Sequence, residues 1–297
     1  MHRIANSKRF LFFLSLIIST SALSQQKQVK ISSIQLTDQI FMLKGQGGNI
    51  GLYVGDDVVF MIDDQFASLT PKILAAIKEI TPKKVNYLIN THWHGDHTGG
   101  NENMAKEGAL IVAHNNVRKR MSLKSSKEEI LLDDAKNRAL PVITFDKDLS
   151  FHSNGDTILA THVHHAHTDG DILIYFTNNN VLHTGDSFFQ GKFPYIDINS
   201  GGSIDGYIAA IQKMIMITDD QTKIIPGHGD IATRKDLESY LLMLSTLRDR
   251  VALEIKKGKT IQEVKINSAI TQGYESFNGW ITEARIRETI YTSLLNH

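Results

Sequence analysis

Apolar positions along this chain fall first into short β-branched runs split by turn residues, and later into longer stretches at helical spacing. Ile34-Gln35-Leu36 and Ile40-Phe41-Met42-Leu43-Lys44 flank Thr37-Asp38-Gln39 and predict a pair of short strands. Ile50 to Val54 and Val58 to Ile62 are separated by Gly55-Asp56-Asp57, a hairpin signal. Thr70-Pro71 then opens a stretch in which Ile73, Leu74, Ile77 and Ile80 recur along one helix face, with Thr as the cap and Pro at the first helical position. Val85 to Asn90 is a strand, Asn101 to Glu107 a helix, Ala109 to Val112 a strand and Asn115 to Met121 a helix. That alternation marks an α/β layered domain.

Residues 122–140 break the rhythm. Ser125 to Glu129 reads as a capped helical segment made amphipathic by Ile130, Leu131 and Leu132, and an excursion of this length between core strands suits a lid. Strands resume over Val142 to Phe145, Leu149 to His152, Thr157 to His165, Ile172 to Thr177 and Val181 to Thr184. A helix over Ser203 to Met216 and a short strand at Ile224-Ile225 follow. Thr233, with Asp236 three positions on, has the form of a capping box. It opens a long helix with a stripe of Leu237, Leu241, Leu244, Leu247, Val251 and Ile255, ended by Gly258. Thr260 to Val264 and Trp280 to Leu295 predict two more helices, so the segment 233–297 is expected to be helical. The sequence contains no internal repeat.

Composition narrows the class. With 297 residues, 22% charged and 41% hydrophobic, the chain is an ordinary globular one. Its first residues read as an export signal. A basic start (Arg3, Lys8, Arg9) precedes the apolar run Phe10 to Ile18, too short to span a bilayer, and Ala22-Leu23-Ser24 gives a small-x-small site before Gln25. We expect residues 1–24 to be a signal peptide and 25–297 the mature domain, periplasmic or secreted and without stable membrane association after cleavage. Cleavage lowers Lys+Arg from 32 to 29 against 32 acids, a net charge of −3, and no basic patch suggests a nucleic-acid partner. The absence of Cys excludes disulfides and thiolate metal ligands alike.

The chemistry concentrates in Thr91-His92-Trp93-His94-Gly95-Asp96-His97-Thr98. Imidazoles and a carboxylate packed this closely build a poor core, since each would need a buried partner. They build a good metal site. His92 and His94 are two apart and leave an extended segment on one side. Gly95 lets the chain turn, and Asp96 and His97 then face a second point. Such a mixture of nitrogen and oxygen donors matches two neighbouring cations, with zinc the usual choice. Other polar residues also follow predicted strands, at the edge where functional side chains gather. Asp63 is expected to support the site from behind. In the cluster His162, His164, His165 and His167, an unbroken strand would put His165 and His167 on one face, and His167, before the turn Thr168 to Asp171, best projects from the edge. Asp186 follows an apolar strand and is placed to bridge two cations. His228 sits between Gly227 and Gly229, which permit close approach. For His114, His152 and His183, hydrogen-bonded structural roles are expected.

His92-x-His94-x-Asp96-His97, then Ala166-His167-Thr168, Gly185-Asp186 and Gly227-His228, in that order, resemble the metallo-β-lactamase superfamily. The resemblance runs from about residue 33 to about 232. It implies an αββα sandwich, two mixed β-sheets flanked by helices, with the metals at one sheet edge. It also implies two zinc ions per chain: His92, His94 and His167 on the first, Asp96, His97 and His228 on the second, Asp186 across both. The best-known β-lactamases of the family carry Cys where this chain has Asp186. Asp there resembles the thioesterase of the methylglyoxal pathway, lactonases and many broad hydrolases. The family's flavo-diiron branch has Glu in place of His94.

The chemistry this implies is hydrolysis of a carbonyl-containing small molecule by a hydroxide shared between the cations, with Asp96 both ligating and orienting it. No Gly-x-Ser-x-Gly elbow offers a competing serine nucleophile. Lys192 is a candidate partner for a substrate carboxylate, Tyr195 or Tyr207 a candidate donor to the carbonyl oxygen, with packing the favoured role for a Tyr here, and Trp93 a pocket wall. A β-lactam-like cyclic amide is the favoured substrate, with a lactone or thioester as the alternative on the same site and a non-catalytic metal scaffold a distant third.

Overall fold

The computed structural model of the chain describes residues 29–127, 138–153 and 155–296. The expected signal segment lies outside these residues, as does most of the expected lid, 128–137.

Two sheets carry the fold. The first takes its strands in chain order: β1 (Ser32–Gln35), β2 (Ile40–Lys44), β3 (Ile50–Val54), β4 (Val59–Ile62), β5 (Tyr87–Ile89), β6 (Leu110–His114) and β7 (Ile143–Phe145). Its first four strands pair antiparallel, and β4 to β7 pair parallel. The second sheet includes β8 (Asp148–Ser153), β9 (Asp156–His162), β10 (Ile172–Phe176), β11 (Val181–His183) and β12 (Lys223–Ile225). Its order is β12-β11-β10-β9-β8, with only β11 and β12 parallel. Both sheets are mixed, as expected.

Strand alternation makes three apolar layers from this chain. Phe60 and Ile62 of β4 and Ile172, Ile174 and Phe176 of β10 point into the space between the sheets. Their neighbours Met61 and Leu173 point outward. Outside the first sheet, Met61, Leu88 and Ile111 pack on Ile73 and Ile77 of α1 (Thr70–Ile80) and Met104 of α3 (Asn101–Lys106), which follows the short α2 (Gly95–Thr98). Outside the second, Leu173, Leu182 and Ile224 pack on α5 (Ile204–Ile217), α6 (Arg234–Lys256) and α8 (Glu283–Asn296). Among the described residues, the remaining α-helices are α4 (Asn115–Lys127) and α7 (Ile261–Ile266). The result is the αββα sandwich. Burial on both faces explains why β4 and β10 read as unbroken apolar runs.

Several element boundaries differ from the sequence pattern. A 3₁₀ turn over Ala67–Leu69 leads directly into α1, so Thr70 is already helical and makes no cap, and Pro71 sits within the first turn. Strand β9 stops at His162 rather than His165, because His165 adopts a left-handed conformation with φ of 53°. Alternation therefore does not carry on to His167. The last helix starts at Glu283 rather than Trp280, because Asn278 and Thr282 accept from the backbone N–H groups of Glu283 and Arg285 and fix its start there. Helix α4 runs on to Lys127, past the expected end at Met121 and through Ser125, where the pattern predicts a separate capped segment. At the long helix the pattern and the structure agree: Asp236 accepts from the backbone N–H and hydroxyl of Thr233, and Gly258 ends α6 with φ of 74°.

Phe176 is fully buried between the sheets, its ring stacked on Tyr53 at 5.5 Å. Phe176→Ala should lower unfolding stability by about 3–5 kcal/mol, read as a fall in the urea midpoint at unchanged slope. A loss under about 1 kcal/mol would show that the inter-sheet core does not depend on this stack.

Candidate metal centre

The cluster forms where five strands hand over to loops at one edge of the sandwich. Strand β4 delivers Asp63, β5 delivers His92 to His97, β9 leads to His167, β11 to Asp186 and β12 to His228. Carboxyl ends of strands are the usual place for ligand sites in such sheets. Backbone bonds fix the register between the last two loops: Thr184 N–H donates to Ile225 O at 3.0 Å and Gly227 N–H to Gly185 O at 2.8 Å. Gly227 is required here, since a Cβ would stand 2.1 Å from Asp186 Oδ1. Gly48 is required likewise, since a Cβ would meet the His97 ring at 2.1 Å.

Two groups of donors result. Candidate ligand atoms of His92, His94, His167 and Asp186 lie within 4.8 Å of one another, and so do those of Asp96, His97 and His228. Each group is oriented from behind. Asp197 Oδ2 lies 3.0 Å from His94 Nε2, turning His94 Nδ1 toward His167 Nε2 at 2.8 Å. His167 Nδ1 donates to Tyr195 O at 2.7 Å. His97 Nδ1 faces Asp63 Oδ2 at 2.7 Å. Asp63 also accepts from the N–H and the hydroxyl of Thr91, both at 2.7 Å, and these bonds hold it at the left-handed φ of 61°. A ring nitrogen fixed in this way leaves the opposite one aimed into the site.

Asp186 stands between the groups. Its Oδ2 lies 3.7 Å from His92 Nε2 and 3.6 Å from His167 Nε2, while its Oδ1 lies 3.1 Å from His97 Nε2 and 3.4 Å from His228 Nε2. Tyr207, fully buried, donates its hydroxyl to the Asp186 backbone oxygen at 2.8 Å and so packs under the site instead of facing a substrate.

These residues fit a metal. His92 Nε2, His97 Nε2 and Asp186 Oδ1 are buried and have no hydrogen-bond partner. Orphaned polar atoms of this kind cost about 1–3 kcal/mol each unless something binds them. Burial pushes His92 well below the ordinary imidazole range and His167 down to about 4, keeping both rings neutral and their lone pairs available. Burial alone would lower His97 and His228 too, but Asp186, helped by Asp63 at His97 and Asp96 at His228, outweighs it. His228 rises to about 9 and His97 well above its usual value. A field that favours protons on those two rings also favours a cation beside them. Burial opposes the charge of Asp186, yet His97, His228 and His92 hold it ionised, well below the usual carboxylate range.

An αββα sandwich with a His/Asp cluster at its sheet edge defines the class of metal-dependent hydrolases. Residues 43–228 match the metallo-beta-lactamase superfamily, and the chain belongs to it. It is similar to the metallo-beta-lactamase type 2 of Bacteroides fragilis, 22% identical over 235 residues that span 74% of this chain and 89% of that one. A hydroxyacylglutathione hydrolase of Pelagibacter ubique is 27% identical over 158 residues, 51% of this chain and 56% of the relative. Among solved structures, a metallo-beta-lactamase from Pontibacter korlensis superposes with a TM-score of 0.61 at 17% identity, covering 73% of this chain and 99% of that one. An inverting sec-alkylsulfatase from a Pseudomonas species gives 0.67 at 16% identity, with 88% of this chain matched to half of that one. At such identities the two structures establish the fold alone.

A cavity of about 530 Å³ opens beside the cluster and reaches His94, Asp96, Asp186 and His228. Lys192 and Tyr195, expected near substrate, both line it. Trp93, expected as a pocket wall, is not among its lining residues; it is half-buried, with its ring 5.0 Å from that of His94. His165, the other candidate in its cluster, is exposed, while His167 is fully buried. His114, His162 and His183 bond to backbone oxygens of Asp146, Asp171 and Asn49, and His152 lies 3.2 Å from the Thr157 hydroxyl. Sequence reasoning missed Asp197, which is 103 positions from His94, and Trp280 and Ile281 on the cavity wall. Asp197 sits in no motif that marks it.

Asp63→Ala removes the anchor of His97 without touching the aimed donor atoms. Metal affinity should fall about 10–100-fold, measured by competition with a chromophoric chelator. Unchanged affinity would mean that His97 is held by packing alone.

Proposed function

We propose that the chain is a dinuclear zinc hydrolase of small molecules. His92, His94 and His167 would hold one ion and Asp96, His97 and His228 the other, with Asp186 serving both. The observation that carries this reading is the division of labour at Asp186, one oxygen toward each donor group. The bound ions would supply a water ionised near neutral pH and a Lewis acid for the carbonyl oxygen.

The chain's own residues do the rest. Asp96, partly exposed and held ionised against burial by His228, faces the cavity and orients the attacking water. Lys192 pairs with a substrate carboxylate as a point charge. Phe189 and Phe193 keep bulk water from the reacting group. A β-lactam-like cyclic amide is the favoured substrate, supported by the extent of the Bacteroides relative that this chain matches and by a cation on the cavity wall. A lactone or thioester is the second reading, supported by a carboxylate at Asp186 and by the hydroxyacylglutathione hydrolase relative. Neither reading calls for a nucleic acid or a membrane. Export belongs to the proposal, and the exported protein should begin at Gln25; an intact Met1 on it would refute that part.

Metal analysis of the wild type should find two zinc ions per chain, by the donor count. Asp186→Ala should lose the second ion first and reduce turnover by about two orders of magnitude or more. His167→Ala should lose metal, while His165→Ala, whose ring is exposed and bonds the Gly201 backbone oxygen, should stay near wild type. Activity is read on nitrocefin, a homoserine lactone and a glutathione thioester. Two zinc ions and full turnover in Asp186→Ala would remove Asp186 from the site and refute the dinuclear reading.

A further inference from the structure

The cavity has two unlike sides. Cluster residues supply one. The other is aromatic, and part of it comes from chain beyond the residues 43–228 that match the superfamily: Trp280 and Ile281 face the cavity alongside Phe193 and Tyr195. The segment Phe277 to Ile281 is pinned at both ends. Phe193 N–H donates to Phe277 O at 2.9 Å, and the two rings pack at 5.9 Å. Ile281 is buried in the outer core of the second sheet, and Asn278 and Thr282 cap the following helix. Between the pins, the backbone crosses the Lys192 side chain so closely that a Cβ on Gly279 would stand 2.9 Å from Lys192 Cδ.

Trp280 is held in this strap with its ring 5.4 Å from that of Tyr195, yet it is 75% exposed. A large ring fixed in place and left in water at a cavity wall marks a surface made for an apolar partner. We infer that Trp280, with Tyr195, selects substrates bearing an aryl or similarly bulky apolar substituent on the acyl compound hydrolysed at the cluster. The inference rests on the hydrolase reading above and adds the class of substrate. With the scissile carbonyl at the cluster and, in a β-lactam, the carboxylate at Lys192, the substituent lies against the Tyr195–Trp280 pair. A cavity of this volume accommodates all three parts at once.

Two matched pairs test it: benzylpenicillin against 6-aminopenicillanic acid, and N-phenylacetyl against N-acetyl homoserine lactone. Each pair keeps the scissile ring and changes the substituent. Trp280→Ala should lower kcat/KM for the aryl member about 10-fold or more, through KM, and leave the other member within about 2-fold. Trp280→Phe should restore most of the difference. Metal content and unfolding midpoint should match wild type in both variants, as the side chain is exposed. Binding is read separately from turnover by tryptophan emission of the metal-depleted protein, which has two tryptophans. The aryl members should give a saturable change that disappears in Trp280→Phe. Equal loss on both members of a pair, or no loss on either, overturns the inference and leaves the hydrolase reading standing. If neither ring is hydrolysed but the aryl members still change the emission, the reading of the reaction fails and the aromatic wall stands. If neither ring is hydrolysed and the emission does not respond, both fail.

Discussion

One carboxylate, that of Asp186, faces two clusters of imidazoles at once, and much of the surrounding architecture exists to let it. It is buried, so its charge is tolerable only while positive or polarisable groups meet both oxygens. The parallel pairing of β11 with β12 puts the loops after both strands side by side, which brings Asp186 and His228 together. Gly227 removes the side chain that would collide with Asp186, and the Tyr207 hydroxyl holds its backbone from below. The second sheet thus supplies the carboxylate between the two groups, while the first supplies most of the imidazoles. The site exists only because the two sheets stack with their strand ends on one edge.

Precision at that edge is secured by anions placed behind the rings. Asp63 and Asp197 do parallel work on the two groups: one fixes His97, the other fixes His94, and each leaves the opposite nitrogen aimed into the cluster. Asp63 is held in a backbone conformation disfavoured for a residue with a side chain, and three hydrogen-bonding contacts to Thr91 and His97 keep it there. Strain and buried charge at the edge are carried by apolar layers away from it. The inter-sheet core and the two helix-covered faces hold no comparable polar cluster among the described residues. The division suits a site that is stable in shape and unsatisfied in bonding.

The extent to which the sequence foretold this depended on the range of the interaction. Doubly buried strands, the capping box at Thr233 and the His92 to His97 run are local signals, and each was legible because one short stretch contains both cause and effect. Boundaries set by competition were not. Strand β9 yields to a turn at His162 because His165 goes left-handed, and the apolar spacing that begins at Trp280 becomes helix only where Asn278 and Thr282 can cap it. Partners brought together by the fold were least visible. Asp197 serves His94 across 103 positions, and nothing beside it in the chain announces that role. Trp93 illustrates the reverse, since it lies inside the most conspicuous motif but outside the cavity lining.

The separation between the two sides of the cavity bears on how such a hydrolase chooses its substrate. In the proposed reaction, a water activated by bound cations would serve amides, esters and thioesters alike, so the cluster fixes the reaction more than it fixes the molecule. Discrimination must then come from contacts that differ between competing substrates. In this chain the side of the cavity away from the cluster is formed by the loop after Asp186, which carries Lys192, Phe193 and Tyr195, and by the C-terminal strap laid across it. The strap lies outside the matched superfamily residues and shares none of the cluster's donor atoms. Its side chains can therefore change without disturbing metal geometry, so that substrate preference is free to diverge while the chemistry stays fixed.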